Sequence, residues 1–327
     1  MPNYLLTGAG FSRNWGGWLA SEVFEYLLGC RLDPPLRGLL WDFKEKGLGF
    51  EDVLGHLQEQ HEQHWSAQNE EHLRNLTGVL QRMFIEMNSG FASKQFEPQD
   101  GAGFYPRESI ISFLGRFDTL FTLNQDLLIE QKYQSNQGRA FYRPGFASSA
   151  DKMDAGPGRR PFSLYNPSET LVLKHGHQPY IKLHGSSDLV DNDRDMMIIM
   201  GANKLGLLQR HALLKWYLGI FSDQLMMPQS KLVIIGYSFS DVHINQIITS
   251  AAGAGLRLFI FDPLGVDILD KRKSDQPGVY NVYQDLRGAV DGASRRPLPS
   301  IFGKNDPIEL NKIYRFLQAQ ADSSAPS

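Results

Sequence analysis

The sequence predicts an α/β fold: an open, mostly parallel sheet flanked by helices, with a helical module set into it. Three observations lead there. Short apolar runs alternate with helical stretches along the 327 residues, the order that builds parallel sheets. Runs such as Leu232 to Ile235 are apolar without alternation, as a strand covered on both faces requires. From Leu36 to Asn88, β-branched residues are few and apolar ones fall at helical spacing, which marks the module.

The elements follow in order. Asn3 to Thr7 reads as a strand, Gly8-Ala9-Gly10 as a turn, and Leu19, Val23 and Leu27 as the stripe of a helix that stops at Gly29. The module bears two stripes, one through Phe50, Val53, Leu54 and Leu57 and one through Leu73, Leu76, Leu80, Phe84 and Met87; we bound the insertion at about 36–113. Ser89 to Gly103 reads as a loop and Asp118 to Leu123 as a buried strand, and Tyr142 to Ser168 as mostly irregular. Further strands are expected at Leu171–Leu173, Tyr180–Leu183, Met196–Met200, Lys231–Ile235 and Leu256–Phe261. Helices are expected after Asp241 and near Leu310 to Leu317, ahead of a polar tail at about 318–327. With no internal repeat, we read a single domain over 1–327.

Composition narrows the function. Lys plus Arg is 33 against 36 for Asp plus Glu, and this lack of a basic surplus argues against general nucleic-acid binding. A single cysteine, Cys30, rules out an internal disulfide and any zinc site built on two or more cysteines. No apolar run reaches a membrane-spanning length and the N-terminus lacks a signal-peptide pattern, so a cytoplasmic protein is expected.

Chemistry-bearing residues gather at the carboxyl ends of the expected strands, where an open α/β sheet has its ligand crevice. Gly8, Ala9, Gly10 and Ser12 follow the first strand; such a turn brings backbone N–H groups to a pyrophosphate, or is simply tight. Asn124 and Asp126 follow the second and can share a face at period two, or Asp126 caps the next helix. His184 ends Tyr180–Leu183 and suits a general base, or is structural. Gly236 and Ser238 follow Lys231–Ile235, with Ser240 and Asp241 as helix caps. Asp262 ends the last run, where a carboxylate can hold ribose hydroxyls or form a turn. Elsewhere, His56, His61, His64 and His72 read as a solvated helix face, His175-Gly176-His177 as a hairpin turn, and Lys271-Arg272-Lys273 as a solvated loop.

The order Gly-Ala-Gly-x-Ser, Thr-x-Asn-x-Asp, His-Gly and Gly-x-Ser resembles the sirtuin NAD-binding domain, in particular that of the bacterial sirtuin-like NAD hydrolases of antiphage defence. The resemblance runs from Tyr4 to about Pro263. It implies a Rossmann-like, mostly parallel sheet flanked by helices, with NAD as substrate and no metal. It also implies roles: Gly8, Ala9, Gly10 and Ser12 hold the pyrophosphate, and Asn124 and Asp126 lie near the nicotinamide ribose, Asn124 positioning a water or the ribose. His184 is then the general base, Gly236 and Ser238 touch phosphate and ribose, and Asp262 approaches the adenosine ribose.

Two departures shape the expected activity. Ser186 to Ser230 holds no cysteine where sirtuin deacetylases carry a four-cysteine zinc ribbon, and Asn14-Trp15-Gly16-Gly17-Trp18 replaces their Ile-Pro-Asp-Phe-Arg. The expectation is therefore NAD hydrolysis to nicotinamide and ADP-ribose. Control is expected from a homo-oligomer or a partner such as a HerA-type ATPase. The rivals are a non-catalytic NAD or ADP-ribose sensor, a protein deacylase, and a dehydrogenase, the last disfavoured by Arg13 at the third-glycine position.

Overall fold

The computed structural model describes residues 1–96, 109–133, 140–145, 152–153, 164–165, 171–190, 196–201, 204–270, 282–302 and 306–318. The chain opens with β1 (Asn3–Thr7) and the short α1 (Ala9–Arg13). Helices α2 (Ala20–Gly29), α3 (Pro34–Glu45), α4 (Phe50–Gln63), α5 (Ala67–Ala92) and α6 (Ile110–Leu114) follow. Next come β2 (Thr119–Thr122), α7 (Leu128–Lys132), β3 (Phe141–Tyr142), β4 (Lys152–Met153) and β5 (Leu164–Tyr165). Then β6 (Gln178–Lys182), β7 (Gly185–Val190) and β8 (Met196–Ile198) lead into α8 (Lys204–Arg210) and α9 (Ala212–Leu225). The last part is β9 (Lys231–Ile235), α10 (Val242–Gly253), β10 (Arg257–Phe261), α11 (Tyr283–Leu286), β11 (Val290–Ser294), α12 (Leu298–Ile301) and α13 (Pro307–Gln318).

Seven strands form the main sheet in the order β11-β10-β9-β1-β2-β6-β3, and every pairing in it is parallel. Period two divides β1, β2, β6, β9 and β10 between two cores. Leu6, Phe121, Ile181, Leu232, Ile234, Leu258 and Ile260 face α9 and α10. Leu5, Leu120, Tyr180, Val233, Ile235, Phe259 and Phe261 face α6, α12 and α13. A strand that feeds both cores has no polar face, which explains the unbroken run in β9. β1 sits in the middle, and the chain leaves it first toward β2 and later builds β9 on its other side. Crossovers then diverge from the carboxyl ends of β1 and β9, and this divergence opens a crevice there.

The module has its own core. Leu36, Leu40, Phe50, Val53, Leu57, Leu76, Val79, Leu80 and Phe84 cluster with Val23, Phe24 and Leu27 of α2, so α2 belongs to it. Ile110 and Phe113, expected inside the module, pack instead in the core beneath β2. Asn88 ties α5 to β7 and to the start of α7: its Nδ2 donates to Ser187 Oγ at 3.0 Å and its Oδ1 accepts Leu127 N–H at 2.8 Å.

Several expectations need correction. Leu171–Leu173 is not a strand, and Val172 and Leu173 are exposed; an apolar triplet outside a ladder has nothing to pair with. Met196–Ile198 is a strand, but it lies antiparallel to β7 in a second sheet of order β4-β5-β7-β8. The loop expected from Ser89 is helix to Ala92, held there by buried Phe91. Of the segment expected to be mostly irregular, the described residues hold the end of β3 and the two-residue strands β4 and β5, and 146–151, 154–163 and 166–168 lie outside the described residues. Lys271–Lys273 and 319–327 of the tail lie outside the described residues.

Candidate functional site

Three glycines bring two turns into backbone contact. A Cβ on Gly8 would stand 2.5 Å from the Gly236 carbonyl oxygen, one on Gly10 2.7 Å from Gly236 Cα, and one on Gly236 2.4 Å from Gly10. Gly236 also has φ +61, a left-handed conformation that favours glycine. Gly8 N–H donates to Ile235 O at 2.9 Å and Gly10 N–H to Gly236 O at 3.0 Å. Both amides expected at a pyrophosphate are thus engaged by the β9 turn. Gly8 and Gly10 form the wall of the crevice, and exposed Ala9 stands at its surface.

Behind this wall Ser12, Asn124 and Asp126 form a triangle. Asn124 Nδ2 donates to Gly8 O and to Ser12 Oγ, both at 3.0 Å. Ser12 Oγ donates to Asp126 Oδ2 at 2.7 Å, and Asp126 Oδ1 accepts Leu128 N–H at 3.0 Å. Asn124 faces the cavity, whose lining does not include Ser12 or Asp126. Ser12 holds Asn124 from behind, and Asp126 holds Ser12 while accepting Leu128 N–H at the start of α7, one residue before the N-cap Leu127.

His184 is carried to the end of β6, and Gly185 explains its aim. Gly185 has φ +75, and a Cβ there would meet the Met197 carbonyl oxygen at 1.8 Å. The chain can therefore turn into β7 beneath β8 while the imidazole stays on the cavity side. Its Nε2 lies 3.1 Å from Nε2 of His243 in α10. Lys204 Nζ bridges Asp241, at 2.8 Å, and Glu51 of the module, at 2.7 Å. Burial drives the His184 pKa down to about 3; Lys204 and His243 push the same way and Asp241 opposes. Burial also lowers His243. Asp241, which burial alone would raise, is held below its usual range by the imidazoles and Lys204. Burial would lower Lys204, but the Glu51 and Asp241 carboxylates raise it.

The loop from β9 to α10 is held by Asn245, which is 1% exposed. Its Oδ1 accepts Tyr237 O–H at 2.9 Å and its Nδ2 donates to Phe239 O at 2.8 Å. Phe239 is thereby kept at φ +56, a sparsely populated region for a bulky residue. Ser238 and Ser240 hydroxyls pair at 2.7 Å on the cavity rim. Asp262 Oδ1 accepts Leu264 N–H at 2.8 Å, the turn its alternative reading anticipated, and Asp262 lines the cavity as well.

These groups surround one cavity of about 1650 Å³. Gly8, Ala9, Gly10, Asn124, His184, Gly236, Ser238 and Asp262, expected from sequence, line it together. His243, Lys204, Glu51 and three arginines were missed. Arg13, read from sequence as a lost glycine, reaches the rim and pairs with Glu22 at 3.0 Å. Arg295 and Arg296 line the end near Asp262. A His two residues after Asp241, beside a strand end, was the available signal for His243; Lys204 and Glu51 meet only through the tertiary fold.

The module histidines are not a plain solvated face. His72 Nε2 lies 2.9 Å from Asp33 Oδ2, and His56 packs on Phe43 with ring centroids 5.4 Å apart. His175 and Gly176 form a turn, but the following β6 pairs in parallel, so no hairpin results. Among the described residues, no three His, Cys, Asp or Glu side chains gather as a metal set. Among the same residues, no helix is long and apolar enough to cross a membrane.

The profile of the SIR2-like domain family matches residues 118–275. That span holds Asn124, His184, Gly236, Ser238 and Asp262, whereas Gly8 to Ser12 precede it. No curated protein matches the sequence. Among solved structures, a mutant Sir2 homologue complexed with 2'-O-acetyl ADP ribose is similar over 98% of this chain and 94% of its own, at 10% identity and a TM-score of 0.43. A structure described for the mechanism and regulation of Sir2 enzymes is similar over 96% of this chain and 92% of its own, at 12% identity and a TM-score of 0.40.

Proposed function

We propose, from the match of residues 118–275 to the SIR2-like domain family, that this chain hydrolyses NAD at the nicotinamide–ribose bond, giving nicotinamide and ADP-ribose. The observation that carries this reading is the single cavity shared by Asn124, His184 and the two glycine turns. The cavity exceeds the roughly 300–1,000 Å³ of a usual small-molecule pocket, which suits a dinucleotide. Arg13, Arg295 and Arg296 on its lining suit a diphosphate, and Asp262 suits the adenosine ribose.

The chemistry needs little beyond positioning. Nicotinamide leaves as a neutral base from a cationic pyridinium, so the ribose carbon becomes oxocarbenium-like. Both amide protons of Asn124 are committed to Gly8 O and Ser12 Oγ, which leaves its Oδ1 as the end that orients a water toward that carbon. His184, neutral through burial, takes a proton from the water as its oxygen bonds to the carbon. Such an enzyme depletes a central cofactor. That consequence fits the antiphage role implied by the resemblance, with assembly or an ATPase partner as the restraint.

The test is NAD turnover by the purified protein, alone and with its neighbouring gene product. Wild type should release nicotinamide and ADP-ribose, and His184→Ala should slow release by about 10²–10⁴-fold while still binding NAD. Tight NAD binding without turnover in either setting would favour the sensor reading. Failure to bind NAD at all would overturn the pocket assignment.

A further inference from the structure

His243 is not used in the chemistry above, yet it stands against the base. The two Nε2 atoms are 3.1 Å apart, the ring centroids are 5.2 Å apart, and both rings line the cavity. A nitrogen–nitrogen hydrogen bond of this length needs one proton between the atoms, with one ring donating and the other accepting. Two neutral rings of opposite tautomer satisfy it, and so does one charged ring beside one neutral ring. Two charged rings cannot. The pair is therefore built to hold at most one extra proton and to share it along the Nε2–Nε2 line.

Resting on the hydrolase reading, we infer that His184 and His243 form a two-station proton relay. With both Nε2 atoms committed to one another, the proton of the attacking water enters His184 at Nδ1. As that O–H bond breaks and the water oxygen bonds to the ribose carbon, His184 gives its Nε2 proton to Nε2 of His243. The positive charge ends on His243, which later returns its proton to water in the cavity.

The groups that face this pair set its direction. The Asp241 carboxylate favours the charge on either ring, and the Lys204 ammonium opposes a resident one. Lys204 is pinned between Asp241 and Glu51, so the helical module reaches the relay through one ion chain. His243 acts through His184 and is a positioning residue for proton exit rather than a group on the reacting carbon.

The experiment compares wild type, His243→Gln and His243→Ala, in the assembly that hydrolyses NAD. Gln keeps a polar side chain but cannot take the charge. We expect kcat of His243→Gln to fall about 10–100-fold with KM within about twofold, a smaller loss than removal of the base itself. Added imidazole should restore His243→Ala several-fold in a saturable way, which a purely structural role would not allow. Wild-type kcat and pH profile in His243→Gln would overturn the relay, as would folded His243→Ala that imidazole does not restore. Nitrogen-15 histidine NMR on resting wild-type protein checks the pair without turnover. Opposite tautomers that titrate together support the relay, and two rings that titrate independently near 6.5 overturn it. Coupled rings in a wild-type protein that hydrolyses no NAD would instead locate the failure in the hydrolase reading.

Discussion

A methyl group at Gly185 would lie 1.8 Å from the Met197 carbonyl oxygen, at a φ of +75. Two independent penalties therefore fall on one substitution, left-handed strain and a clash with backbone that cannot swing away. We expect Gly185→Ala to cost more than about 3 kcal/mol in urea denaturation and to abolish NAD binding by displacing His184. Gly78 is the contrast. It lies inside α5, and a Cβ there meets nothing within 4 Å. Gly78→Ala should gain about 0.5–1 kcal/mol, chiefly by reducing the freedom of the unfolded chain. A destabilised Gly78→Ala would mean that glycine content, rather than the contacts at Gly185, governs such losses.

The β9–α10 connection shows at the level of an element what a strand end needs in order to present polar groups. Asn245 occupies both Tyr237 Oη and Phe239 O from inside the core. Asn245→Ala would remove the partner of the buried Phe239 carbonyl while the Tyr237 hydroxyl keeps Asp241, for a cost of about 1–3 kcal/mol. With Phe239 then free to leave its left-handed conformation, NAD affinity should fall together with the urea midpoint. An unchanged affinity in calorimetry would show that the loop keeps its shape without the clamp. Legibility in the sequence divides along the same line. β1, β6, β9 and β10 announce themselves because their side chains enter two apolar cores, and Asn124, His184 and Gly236 because they end such strands. β7 is hidden because Ser187 and Asp188 are buried by pairing with Asn88 and Arg143, so its polarity mimics a loop. β11, Val-Asp-Gly-Ala-Ser, lies on the sheet edge, with little apolar pattern to read. Asn245, His243 and Lys204 act through partners distant in the chain or through helix orientation, and local spacing encodes neither.

At the scale of the whole molecule, His184, the proposed base, lies where module, sheet and α10 converge, and this burial makes stability depend on pH. His184 is 2% exposed; burial, reinforced by Lys204 and His243 against Asp241, lowers its pKa to about 3. Unfolded, the same imidazole titrates near 6.5. Between these values the unfolded chain binds the proton and the folded one does not, so stability must rise with pH across that window. The contribution is complete above about 6.5 and is lost as pH falls toward 3. From pH 7 to pH 5 the loss from His184 alone comes to roughly 2 kcal/mol, and the lowered pKa of His243 acts with the same sign. Urea denaturation at pH 7, 6 and 5 tests this, with His184→Gln as the reference that removes the titrating ring but leaves the surface carboxylates alone. Wild type should lose about 2 kcal/mol more than the variant over that range. Equal losses would mean that the folded protein accepts the proton at an ordinary pH and that the neutral pair does not exist. The same displacement governs catalysis in the opposite sense. A base that stays unprotonated down to acid pH gives no inflection near 6.5, so NAD turnover should hold from pH 7 to pH 5 for as long as the protein remains folded.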